Sequence, residues 1–202
     1  MNITKKRKII IASVSLLLAG ACVSTFMLGC RGGRAGNLVP VSGRIMIEGR
    51  QVEIPSAIGI RDPRFDRGLA VGGSCFEPLH THDTSGIIHI EGPDPNRQYT
   101  LGDFFAVWSA TYPTIEIGGT TFPVGFAAGE ILGHKADAAH HVRLLVDGKP
   151  SSRGPSLVLN GLDYCSAQST SPPCVPTAAG NPFPPEVLER YGTGHTIVIE
   201  FQ

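Results

Sequence analysis

The chain has 202 residues, and its 17 lysines and arginines balance 17 aspartates and glutamates, so the formal net charge is zero. That balance excludes the one-signed field by which a protein engages nucleic acid or an acidic surface. With 25 glycines and 16 prolines, long uninterrupted elements are disfavoured and short strands joined by turns are expected.

Lys5-Lys6-Arg7-Lys8 precede a charge-free stretch from Ile9 to Gly29, after which Arg31 and Arg34 restore charge. A basic cluster ahead of an apolar run is the layout of an export signal whose basic end stays in the cytoplasm. Ala19-Gly20-Ala21 is a small-residue cleavage pattern that leaves Cys22 first, and Phe26-Met27-Leu28-Gly29 ahead of Cys30 is a looser lipobox-like pattern. Cys22 and Cys30 are therefore lipidation candidates. The apolar run is also about long enough to span a bilayer, which takes roughly 20 residues. Residues 1–30 are expected to be a signal peptide, lipoprotein signal or N-terminal membrane anchor, 31–38 a linker, and 39–202 a single exported domain. The expected location is extracytoplasmic (periplasm, cell surface or secreted), with a membrane tether at the N terminus.

The exported part is long enough for one domain with a real core. Its first predicted element is a hairpin, with Val41, Ile45 and Ile47 on the outward strand, Gly49-Arg50 at the turn, and Val52 and Ile54 on the return. Segment 61–73 reads as a loop. The runs Phe76 to His82 and Ile87 to Glu91, broken by Asp83-Thr84-Ser85-Gly86, read as a second hairpin. One helix follows. Thr100 is its N-cap with Asp103 as a variant capping box, and Leu101, Phe104, Phe105 and Trp108 line one face. Strands are expected at Thr114 to Ile117, Thr121 to Val124 and Val142 to Val146, with a short helix at Pro184 and a last strand over His195 to Phe201. The fold class is α+β, a mainly antiparallel or mixed sheet of short strands packed on one strong helix, with a β-grasp-like arrangement as its specific form.

Cys165 and Cys174 bracket the polar segment SAQSTSPP, and export makes a local disulfide between them chemically reasonable. That leaves Cys75 as the odd thiol.

Chemistry concentrates between Cys75 and Glu91. Residues two apart in a strand share a face, so His80 and His82 point the same way. A turn centred on Thr84 and Ser85 places His80 opposite His89 and His82 opposite Ile87, so three imidazoles meet on one face with Glu91 next along. Three imidazoles suit zinc or copper, and a carboxylate, thiolate or further imidazole completes such a set. Glu91, Cys75 and His195 are the residues available for that role. Asp83 reads as turn chemistry. His134, His140 and His141 read as solvated loop residues in a Gly/Ala-rich region.

Laid out in this way, Cys75, Leu79 to His82, Gly86 to Glu91 and Thr100 to Phe105 resemble a motif of uncharacterised exported bacterial proteins, CxxxLHTHxxxGIIHIE followed by TLGDFF. The resemblance implies a shared site and no particular activity. Relatives of that kind carry further alternating histidines in the first strand, where this chain has Val41-Ser42-Gly43-Arg44-Ile45. The resemblance therefore implies that part of a shared metal site is lost here, which either counts against metal binding or leaves the site open and weaker.

Three functions follow as alternatives. The first is an exported or tethered domain that binds copper or zinc through His80, His82 and His89, without catalysis. The second is a structural or partner-binding module of the cell envelope with the histidines as ordinary core. The third is a metal-dependent hydrolytic enzyme in which an acid such as Glu91 or Glu77 helps an ion activate water. A reactive-thiol role for Cys75 stands behind these.

Overall fold

The first hairpin shows how the chain is punctuated. Glu48 and Gly49 take positive φ of 49° and 76°, the two-residue turn whose twist matches that of paired strands. It joins β1 (Val41–Ile47) to β2 (Arg50–Val52). The computed structural model describes residues 41–91, 94, 96–160, 162 and 195–202. The leader, the linker, the Cys165–Cys174 pair and the helix expected at Pro184 lie outside the described residues.

Segment 61–73 is not the loop its composition suggests. After β3 (Ile60–Arg61) comes a second hairpin, β4 (Arg64–Asp66) and β5 (Leu69–Gly72). Its turn uses Arg67 and Gly68 at φ of 47° and 86°, and an arginine in the first position hides the Asn-Gly or Asp-Gly signal such turns usually carry. Next are β6 (Cys75–Phe76), which pairs with β3, then β7 (Leu79–His80) and β8 (Ile87–Ile90).

Helix α1 (Leu101–Thr111) begins as predicted. The Thr100 hydroxyl accepts from the Asp103 N–H at 3.1 Å, and the Asp103 carboxylate accepts from the Thr100 N–H at 2.9 Å. Two of the donors that a helix start leaves orphaned are satisfied reciprocally. Leu101, Phe104, Phe105 and Trp108 are its buried residues. They fall in one apolar cluster with Ile45, Ile88, Ile197 and Ile199 of the sheet.

The chain continues through β9 (Thr114–Ile117), β10 (Thr120–Pro123), β11 (Phe126–Ala127), β12 (Glu130–Ile131) and β13 (His134–Lys135). It then forms β14 (Val142–Val146), β15 (Lys149–Ser151) and β16 (Thr196–Phe201). The main sheet runs β15-β14-β16-β1-β8-β7, with β2 also on β1. The β1–β16 pair is parallel and the other pairs are antiparallel, so the domain is α+β with a mixed sheet. Burial in β16 alternates along the strand, as its sequence alternation requires.

One glycine fixes how β8 leaves its turn. Gly86 has φ of 81°, and its carbonyl accepts from the Gly43 N–H at 2.8 Å. A Cβ at Gly86 would stand 2.3 Å from the Gly43 carbonyl oxygen. Backbone conformation and close approach both require glycine here.

Candidate metal centre

Strands β7 and β8 pair Leu79 with Ile90 and His80 with His89, the register that a turn on Thr84-Ser85 dictates. Asp83 holds that turn. Its Oδ1 accepts from the Ser85 N–H at 3.0 Å and from the Ser85 hydroxyl at 2.5 Å, an Asx-type arrangement.

The ladder stops at His80, and the expected pairing of His82 with Ile87 does not form. The chain turns to other partners instead. Thr81 bonds to the 55–58 segment, and His82 bonds to Ala70 on β5. The His82 carbonyl accepts from the Ala70 N–H at 2.8 Å, and the His82 ring donates from Nδ1 to the Ala70 carbonyl at 2.5 Å. His82 still reaches the same place as the other two rings. Centroids lie 5.0 Å apart for His80 and His82, 4.5 Å for His82 and His89, and 5.4 Å for His80 and His89. Phe76 walls one side, its ring edge-on to His80 at 5.3 Å.

The protonation pattern follows from the partners. A carbonyl only accepts, so the bonds from His80 Nδ1 to the Glu77 carbonyl (2.9 Å) and from His82 Nδ1 to the Ala70 carbonyl put the proton on Nδ1. In the neutral ring each Nε2 then carries a lone pair. Metal-ligating histidines are oriented in this way, the far ring nitrogen donating to a carbonyl. Burial pushes the His80 pKa down to about 4, with the bond to Glu77 opposing it and nearby His82 adding to it. Burial, with His82 and His80 assisting, pushes His89 down to about 3. Both rings are neutral at pH 7, which is the ligating form.

Two buried nitrogens of the group, His80 Nε2 and His89 Nδ1, have no hydrogen-bond partner. Leaving such a group unsatisfied costs about 1–3 kcal/mol. One ligand nitrogen from each ring lies within 4.8 Å of the others, and this is the one such group of metal-capable side chains among the described residues. The size suits an ion. Zn–N bonds of about 2.0–2.1 Å in a tetrahedron set nitrogens ~3.3 Å and ring centroids ~5 Å apart. The centroids already have that spacing, and the ligand nitrogens, within 4.8 Å of one another, would draw closer around an ion.

The other predicted ligands stand elsewhere. Cys75 is disulfide-bonded, so it is not the odd thiol and offers no free thiolate; its partner cysteine lies outside the described residues. His195 is buried, with its Nδ1 2.5 Å from Asp147 Oδ2 at the β14–β15 turn, and is not among the clustered nitrogens. Glu91 is likewise outside the ligand set; burial raises its carboxyl pKa while His82 lowers it. Burial also raises that of Glu77, against Arg61 and Arg97. His134 is half-buried on β13, between the rings of Phe122 and Phe201, and is not a solvated loop residue. His140 bonds to Asp137 at 2.9 Å. The contribution of Ala70 to the site was missed in sequence, because it is a backbone carbonyl in a segment read as loop.

No protein-family description matches the chain, and neither a curated protein nor a solved structure does. The residues themselves therefore carry the functional reading.

Proposed function

We propose that this chain is an exported or membrane-tethered domain that binds a transition metal, zinc or copper, through His80, His82 and His89. The observation that supports it best is the convergence of three imidazoles, two of them held by Nδ1–H bonds to backbone carbonyls. An all-imidazole donor set suits zinc and copper, and among the described residues no sulfur ligand joins it. Export rests on Lys5-Lys6-Arg7-Lys8 and the apolar run behind them. His80 is buried, whereas His82 and His89 keep partial exposure, so metal enters from their side. Structural zinc sites close with four protein ligands, whereas the three that converge among the described residues leave a position for an exchangeable ligand. That favours sequestration, delivery or sensing over a permanent structural ion.

The same open position supports a second reading, metal-dependent hydrolysis, in which the half-buried Glu91, whose carboxyl feels the charge of His82, would assist a metal-bound water.

Thermal unfolding tests the binding reading. Zinc at about 100 times its Kd stabilises by about 2.7 kcal/mol, which raises the midpoint by roughly 5–10 °C for a domain of this size. A chelator reverses the shift. A midpoint indifferent to zinc, copper and chelator contradicts metal binding and leaves the envelope-module reading.

A further inference from the structure

We propose that Thr81, the residue between the two histidines of His-x-His, is the positioning residue of the metal centre. The inference rests on the metal reading above and adds a residue that touches no metal. In a regular strand, Thr81 would pair with β8 and serve only as a spacer. Here it is fully buried, and each of its polar groups is bonded to the segment running from Pro55 to Ile58. The Thr81 N–H donates to the Ile58 carbonyl at 3.1 Å, and its carbonyl accepts from the Ala57 N–H at 3.0 Å. Its hydroxyl donates to the Pro55 carbonyl at 2.8 Å and accepts from the Ile58 N–H at 3.1 Å.

Those four bonds explain why the ladder ends at His80. They draw the backbone off β8 and onto a turn whose Ala57 is itself held at φ of 58°. The next residue, His82, thereby comes to Ala70 and not to Ile87. His80 and His82 flank Thr81 directly, so how Thr81 is held constrains the direction of both Cα–Cβ bonds, beside the ladder at His80 and the Ala70 bonds at His82. The two backbone bonds do not depend on the hydroxyl, whereas the bridge between Pro55 and Ile58 needs threonine or serine. Groups that orient metal ligands are typically worth about 10–100-fold in affinity.

The test compares the full chain with Thr81→Val, which keeps the shape and loses the hydroxyl, and Thr81→Ser, which keeps the hydroxyl. Zinc affinity is measured by competition with a chromophoric chelator, and ligand geometry by the visible absorption of the cobalt(II) form. Thr81→Val is expected to weaken zinc by about tenfold or more and to change the cobalt spectrum, while Thr81→Ser restores both. Wild-type affinity and spectrum in Thr81→Val overturn the assignment, because a purely structural threonine moves only the thermal midpoint. If Thr81→Val does not fold, Thr81→Ser decides. It is expected to stay within about threefold of wild type, and a tenfold loss refutes the role of the hydroxyl. A wild-type chain that takes up neither zinc nor cobalt overturns the metal reading, and this inference falls with it.

Discussion

Acidifying the metal-free chain from pH 7 to pH 4 is expected to remove several kcal/mol of folding stability. An unfolded histidine titrates near 6.5, whereas burial holds His80 down to about 4 and His89 down to about 3. Between those limits the unfolded chain binds protons that the folded chain refuses, so stability rises with pH. The contribution is fully present above about 6.5 and is lost as pH falls toward the folded values. For His80 alone the gap corresponds to roughly 3 kcal/mol at pH 4. Glu77 and Glu91 act in the opposite sense, since burial raises their pKa from 4.5. Their contribution is present at low pH and is lost as pH rises through the raised folded values, so acid favours the fold at those two positions. Denaturant midpoints at pH 7, 6 and 4 measure the balance. A profile that is flat in wild type and stays flat in a Glu77→Gln/Glu91→Gln variant means that the rings are solvated, and it removes the basis for a desolvated ligand cluster. Metal affinity should fall in the same direction, because protons compete for the same lone pairs.

Replacing His89 with leucine separates stability from function. The ring nitrogen Nδ1 of His89 is buried without a partner in the metal-free chain. A ligand removed from a three-imidazole site is expected to weaken zinc by about 100-fold or more. The metal-free variant should nevertheless be as stable as wild type, or more stable by about 1 kcal/mol, because an apolar group of similar shape removes an unsatisfied polar atom. His89→Leu is compared with wild type by chelator competition and by denaturant unfolding in a chelator. A variant that loses several kcal/mol in its metal-free form would show His89 to be an ordinary core residue with a satisfied role.

Several signals carried by neighbouring residues are legible in this sequence, although the first turn falls on Glu48-Gly49 and not on Gly49-Arg50, and signals that depend on distant residues are not. The capping box of Thr100 and Asp103, the helix stripe and the pairing of His80 with His89 depend on residues close in the chain, with geometry set by turn or helix period. The fate of His82 depends on Ala70, twelve residues away in a hairpin whose Arg-Gly turn carries no conventional signal. The register was therefore right for one histidine pair and stopped short of the next. The part played by Thr81 is not legible in the sequence, because period-two alternation says nothing about a strand that leaves its ladder for another segment. The state of Cys75 was hidden for a related reason. Spacing favours a bridge between near neighbours such as Cys165 and Cys174, and it carries no information on whether Cys75 is bonded.

The most direct test of the central claim is metal content by mass spectrometry, measured on the tag-free chain after loading with zinc or copper and removal of excess ion. The His80→Ala/His89→Ala variant is measured beside it, with circular dichroism to confirm that it is folded. The account predicts about one ion per wild-type chain and none retained by the folded variant. No ion in wild type, or an ion kept by the double variant, would contradict a metal centre built on His80, His82 and His89.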